Sequence, residues 1–431
     1  MHKDNPLIEK TAWVITVFLF ISFILFENYT WGKYVFLLCS GCLAFFSCIR
    51  EQKVHVHINF FFVMGMLFAG YTALSSLWSL DPDASIIMAR TLVRTVICAM
   101  LFLSYYHNKE NGVEMILSAI RWCGYLVALY TISYYGLSIM LHASLSASYR
   151  LGNGYSNVNT IALGCCMSII IQVNDSMIAK KKERIGWLLC VPALFVIIAT
   201  QGRKSLIMLV LGVGVLLILN LFSRKENSHS FFQSIFFILL GAIVMYGVSQ
   251  LDMFSGVHEQ FDQMLNFVTK EGTADSSTIE RAHMISAGIS YWKKDPLLGY
   301  GLDATRLINL TENGRGDYLH NNYVELLCGG GLIAAGIFYS IYLYLYYYSI
   351  KYRIIDKSYG LFFVVWLFLL FVLDFGMVSY YTKSQWYYIA TIFLHVEALK
   401  RKAEEECHKE SRSNGIIRLE NPVQHKYLRY K

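Results

Sequence analysis

The feature that most constrains this chain is the recurrence of apolar runs of about membrane-spanning length, separated by short polar turns. About twenty apolar residues cross a bilayer. Counting such runs gives twelve, at approximately 11–27, 34–49, 58–78, 86–104, 116–141, 156–173, 185–200, 205–222, 231–250, 320–348, 359–380 and 385–398. With 55% hydrophobic and 16% charged residues, the chain is too apolar for a soluble domain, and it reads as an all-α integral membrane protein. The spacing predicts four parts. Nine spans occupy 1–250, an external loop with short amphipathic helices occupies 251–319, three spans occupy 320–398, and a cytoplasmic tail occupies 399–431. The first run has no small-residue cleavage site after it and is read as a retained span. Nine of the ten cysteines fall in or beside apolar runs and are read as small core residues.

The formal net charge is +7, but the basic residues sit in short clusters between apolar runs. That pattern encodes topology and points away from nucleic acid. Placing the N-terminus in the cytoplasm puts Arg50 and Lys53, Lys109, the run Lys180 to Arg184, Arg224 and Lys225, and Lys351, Arg353 and Lys357 inside. The tail with Lys400, Arg401 and Lys402 also falls inside. The 251–319 loop then lies outside, and its six basic against ten acidic residues suit a translocated segment. Within it, Ser277 and Glu280 fit a capping box, and Ile279, Ile285, Ile289 and Trp292 recur at helical spacing, which predicts a short amphipathic helix.

Cations on the outer side run against the charge bias, so each needs a reason. Arg90 and Arg94 share a helix face in the fourth run. Such residues either line an anion path or snorkel outward, with Arg94 pairing an acid such as Asp374. Arg150 precedes a turn containing Gly152, Gly154, Asn157 and Asn159, which offers close backbone approach and amide hydrogen bonds, although a plain connecting loop has the same composition. Arg203 and Lys204 open the eighth run, where a guanidinium and a helix N-terminus both favour an anion; interfacial anchoring is the alternative. Arg281 lies in the loop helix. His320, at the start of the tenth run, is followed by Asn321, Asn322 and Glu325, a group that can orient a hydroxyl and accept its proton. The glycines at 329–331 are read as allowing a neighbouring helix to approach closely.

Four stretches carry a resemblance to a known family. They are R-x-G with asparagines before a middle run, GRKS after another, ERxxMxxxxxxxWKKDPLLGYG in the loop, and HNNYVELLCGGG opening the next run. Their order resembles the O-antigen ligase and O-antigen polymerase superfamily over most of 140–350. The resemblance implies a metal-independent membrane glycosyltransferase with no cofactor, acting outside the bacterial cytoplasmic membrane on glycans carried by undecaprenyl diphosphate. It implies that Arg203 and Arg281 hold the diphosphate and that His320 orients or deprotonates the acceptor hydroxyl. Arg150 would be a third cation, and Lys204, Asn321, Asn322, Glu325, Arg90 and Arg94 further substrate contacts. Beyond the lipid-linked oligosaccharide and membrane lipid, a chain-length regulator and a flippase are the expected partners.

Within that family a polymerase joins lipid-linked repeat units, and a ligase moves a finished glycan to a lipid A core or another acceptor. The HNNY wording and the charged tail favour the polymerase. A transporter of lipid-linked oligosaccharide is a different class of reading. It would be expected to show an internal repeat and midplane polar groups. No repeat relates 1–200 to 201–400. A non-enzymatic scaffold would not need external arginines and a histidine.

Overall fold

The computed structural model describes residues 6–26, 29, 31–51, 58–145, 151, 154–223 and 276–413, and every regular element among them is helical. Fourteen α-helices follow in order. The first nine are α1 (Pro6–Leu25), α2 (Gly32–Glu51), α3 (Phe60–Ser75), α4 (Pro82–Tyr106), α5 (Gly112–Tyr135), α6 (Leu137–Leu145), α7 (Val158–Val173, continued by a π-helical turn Asn174–Ile178), α8 (Arg184–Ala199) and α9 (Arg203–Ser223). After the gap come α10 (Ser276–Trp292), α11 (Thr305–Asn313), α12 (Asn322–Tyr352), α13 (Gly360–Asp374) and α14 (Lys383–Ser413).

Local chemistry sets several of these limits. Asn59 caps α3 by accepting the Phe62 N–H at 2.9 Å, and Asp81, with Pro82 behind it, caps α4 through the Ala84 N–H at 3.0 Å. The expected run 116–141 is cut at Gly136, whose φ of +80° ends α5 and starts the separate helix α6. The start of the expected tail is helical. α14 continues unbroken to Ser413, and Lys400 meets Glu397 one turn away at 3.0 Å.

Five described helices are long and apolar enough to cross a membrane: α1, α4, α5, α7 with its π turn, and α12. Five shorter apolar stretches accompany them, in α2, α3, α8, α9 and α13. The expected run 231–250 lies outside the described residues. Leu188 and Val191 are 72% and 66% exposed, so large apolar side chains lie on the outer surface as well as in the interior. A multi-pass membrane protein accounts for this pattern and a soluble one does not.

With lipid outside, helix association rests on close packing and buried hydrogen bonds. α14 is the central helix. Its Trp386 packs on Phe61, Phe68 and Phe338, and its Tyr387 packs on Phe20, Phe23 and Phe102 and hydrogen-bonds Ser40. α5 and α7 touch through glycine, since a Cβ at Gly124 would lie 2.4 Å from the Gly164 carbonyl oxygen. A CxxC spacing, Cys39 to Cys42, lies inside α2 with both thiols free.

The turns sort into two ends. At one end Asn111 reaches Glu9 at 3.3 Å, Arg401 donates to the His107 carbonyl at 2.7 Å, and Lys181 meets Glu114 at 2.6 Å. Buried Arg121 of α5 lies at the same end, paired with Asp175 of the π turn at 2.7 Å and with Glu183, while Asp175 also accepts the Tyr359 hydroxyl at 2.8 Å. At the opposite end the Leu80 N–H donates to the Tyr300 carbonyl at 3.0 Å, Gln201 to the Ala143 carbonyl at 2.9 Å, and Asn321 to the Phe375 carbonyl at 3.3 Å. His320 belongs to this second end.

Candidate functional site

The site is built on a break in α12. Gly331 has φ 64° and ψ −167°, a conformation open to glycine. In a straight helix residues 322 and 339 would stand about 25 Å apart. Here the Asn322 amide donates to the Tyr339 hydroxyl at 2.9 Å, and the Tyr323 and Tyr339 rings stack at 5.0 Å. Residues 322–330 therefore fold back on 332–339 as a short half-helix. The reversal also fixes the place of His320. It is returned about 12 Å along α12 from the corner at Gly331, the rise of eight helical residues.

A break inside a membrane frees backbone groups that must be satisfied by protein. The loop 296–302 and Tyr71 of α3 do this. The Leu332 N–H donates to the Pro296 carbonyl at 2.9 Å, the Tyr300 N–H to the Cys328 carbonyl at 3.0 Å, and the Tyr71 hydroxyl to the Gly330 carbonyl at 2.8 Å. A Cβ at Gly331 would lie 2.1 Å from the Leu297 carbonyl oxygen. The glycines at 329–331 thus admit a loop backbone, where a neighbouring helix was expected.

Three residues after His320 spend their polar atoms on this architecture. Asn321 caps the half-helix, accepting the Val324 N–H at 3.1 Å. Asn322 is fully buried; it donates to Tyr339 and to Asp374 and accepts the Ser379 and Tyr380 N–H groups at 2.8 and 3.0 Å, which uses its whole hydrogen-bonding capacity. Glu325, also buried, accepts the Thr305 hydroxyl with one oxygen and the Leu319 N–H with the other at 2.8 Å. All three hold the turn that carries the histidine.

His320 itself is held with φ at +57° and its ring against Tyr318, centroids 4.4 Å apart. Its Nδ1 is buried and makes no hydrogen bond. Burial, then the charges of Arg281 and Lys204, push its pKa down to about 4. At neutral pH it is an uncharged imidazole with a lone pair to offer.

The cations come from two other elements. α10 packs along the half-helix through Gly288, where a Cβ would meet Leu319 at 2.6 Å and Val324 at 2.7 Å. This alignment carries Arg281, on the first turns of α10, within electrostatic reach of His320. Among the described residues no carboxylate pairs with Arg281. Lys204 stands on the first turn of α9, its Cε 3.1 Å from where a Cβ on Gly376 would lie. Arg203 is the residue that opens α9. Beside it, Gly202 is buried against Asn159, whose oxygen is 3.4 Å from the ideal Cβ position. The asparagine-bearing turn before α7 thereby meets the start of α9. Arg150 lies outside the described residues.

Arg90 and Arg94 are not brought to this group. Both are exposed on the outer face of α4, and Arg94 donates to the Arg90 carbonyl at 3.2 Å and to Thr91 at 3.3 Å. The acid considered as a partner, Asp374, is taken by Ser379, Tyr339 and Asn322. Sequence reasoning missed Asp374 as part of the histidine's support, along with Thr305 and Tyr318. A lone carboxylate ending the run LLFVLD was the available signal for the first; the other two carried none. Among the described residues no three His, Cys, Asp or Glu side chains are grouped to hold a metal ion.

A neutral imidazole beside two cations and a helix N-terminus, recessed in a membrane bundle, can hold a polyanion and take a proton from a hydroxyl. Residues 188–339 match the family model described as O-antigen ligase, which supports a relation to the O-antigen ligase and polymerase superfamily. The match includes Arg203, Lys204, Arg281 and His320, and it implies a glycosyltransferase-like activity in O-antigen assembly. No curated protein matches the chain.

Proposed function

We propose that this protein is a polymerase that joins undecaprenyl-diphosphate-linked oligosaccharide repeat units into capsular, exopolysaccharide or O-antigen polymer, on the outer side of the bacterial cytoplasmic membrane. The observation that carries the reading is the half-buried, uncharged His320 with its buried, unbonded Nδ1 beside Arg281 and Lys204. In the reaction the bond between the anomeric carbon and the diphosphate oxygen breaks, and an acceptor hydroxyl bonds to that carbon. The proton goes to His320 and the negative charge stays on the departing diphosphate. Arg281 and Lys204, with Arg203 at the start of α9, stabilise that charge as it grows, a task arginine's planar fork performs without a metal. Activity should therefore persist in a chelator.

Charge distribution supports the orientation. Lys109, Lys181 and Arg401 lie at the end of the bundle opposite His320, which supports a cytoplasmic location for that end under the positive-inside rule.

A ligase acting on the same donor is the second reading, since the two reactions need the same leaving-group chemistry. Electrophoresis of surface glycan from a deletion strain separates them. Collapse of the ladder to a single repeat unit, restored by wild type and not by His320→Ala, is the expected result. Long polymer retained on undecaprenyl diphosphate but missing from its final acceptor would make the protein a ligase. An unchanged ladder would remove both.

A further inference from the structure

The end of α13 carries an exposed aromatic residue beside the site. Phe375 is 67% exposed, although it follows a helix whose Phe362, Phe363, Trp366 and Leu370 are buried. Its ring lies 4.7 Å from that of Tyr323, which stacks on Tyr339 at 5.0 Å and is pinned by donating its hydroxyl to the Phe371 carbonyl at 2.8 Å. The result is a rigid aromatic platform with one bare face.

Its place in the site is defined on both sides. The Phe375 carbonyl accepts from Asn321, the neighbour of His320, and the next residue, Gly376, lies under the aliphatic stem of Lys204. Phe375 thus stands between the histidine's turn and a cation that would hold phosphate. α13 has 15 residues, about 22 Å of helix against a hydrocarbon thickness of about 30 Å. Its start lies beside Tyr359 at the opposite end of the bundle, and a helix of this length is shorter than the hydrocarbon layer.

We infer that Phe375, backed by Tyr323, contacts the first isoprene unit of a polyprenyl diphosphate and so selects for a lipid-linked donor. The inference rests on the donor proposed above. A diphosphate donor has two ends, and the glycan end must face His320. The prenyl end leaves through a single P–O–C linkage, so its first carbons fall within a few bonds of the phosphate that Lys204 and Arg281 hold. An apolar ring at that point gains by covering hydrocarbon.

The test uses the purified full-length protein and its Phe375→Ala and Phe375→Leu variants, with farnesyl diphosphate and inorganic diphosphate as binding probes. Phe375→Ala is expected to weaken farnesyl diphosphate about tenfold or more while leaving inorganic diphosphate within about twofold, and leucine is expected to recover most of the loss. The exposed ring can be removed without opening the core, and the carbonyl that accepts from Asn321 remains. Equal farnesyl diphosphate affinity in wild type and Phe375→Ala would overturn the inference. So would a parallel loss for inorganic diphosphate, or an effect confined to the acceptor's KM, which would make the platform a sugar contact. If the wild type bound neither probe and the glycan ladder did not depend on His320, the proposed donor itself would fall. A ladder that depends on His320, with no farnesyl preference in the wild type, would remove the platform alone.

Discussion

Replacing His320 by alanine is expected to slow glycan transfer by about 10²–10⁴-fold, the usual contribution of a positioned general base, with little change in the amount of folded protein. The neighbouring contacts explain the second half of that expectation. The turn is held by Asn321, Asn322 and Glu325 and not by the imidazole, whose Nδ1 makes no hydrogen bond. The pH profile gives an independent reading. His320 is held down to about 4 by burial, Arg281 and Lys204, with Arg315 acting in the same direction and Asp317 against. Because the pKa is lowered, the basic form persists as pH falls through 6.5 and is lost only near the folded value. The kcat/KM profile, which reports the free enzyme, should therefore stay level from neutrality to about pH 5 and fall below it. Diphosphate bound between the cations would cancel part of their field and raise the histidine's pKa in the complex. The acid limb of kcat should then lie at higher pH than that of kcat/KM. A kcat/KM limb centred at 6.5 would contradict the desolvated, cation-flanked setting of His320.

Arg121→Ala is the substitution expected to cost most stability. Its side chain is 3% exposed and joins Asp175, Gln172 and Glu183, drawing together α5, the π turn of α7 and the approach to α8. Asp175 in turn holds Tyr359, at the turn between α12 and α13. Removing the guanidinium leaves Asp175 buried without its cation, a loss of about 3–5 kcal/mol for a pair of this kind. The Asp175 contact carries most of it, since Glu183 is partly exposed and screened. A large drop in the unfolding midpoint of detergent-solubilised protein is the expected outcome, and a midpoint equal to wild type would show that the network does not hold the bundle.

The parts of this account that depend on composition along the chain were legible from residues alone. Apolar runs became helices, and the Ser277–Glu280 capping pattern marked the start region of α10. The family resemblance, and not the residue pattern alone, grouped His320 with Arg203 and Arg281 and left Lys204 as a further contact; the structure sets Arg281 and Lys204 within electrostatic reach of the histidine. What could not be read were pairings and directions. Three glycines in an apolar helix look the same whether they admit a second helix or reverse the chain. Only the loop carbonyls of Pro296 and Leu297, more than thirty positions away, decide for reversal at Gly331. Arg121 and Asp175 are 54 residues apart, and each sits in or beside an apolar run without a local partner to announce it. Arg90 and Arg94 share a face, as their spacing requires. In a membrane bundle the inner and outer faces are equally apolar, so hydrophobic pattern does not say which way that face turns.

The central claim is that this site parts a glycan from a lipid-linked diphosphate through His320 and Arg281. The most direct measurement follows undecaprenyl diphosphate released from a lipid-linked oligosaccharide by the protein reconstituted in liposomes, for wild type, His320→Ala and Arg281→Ala. The account predicts release that accompanies glycan transfer in the wild type and falls by at least about a hundredfold in both variants. Release at the wild-type rate in either variant, or glycan transfer by the wild type without any release of the lipid diphosphate, would contradict it.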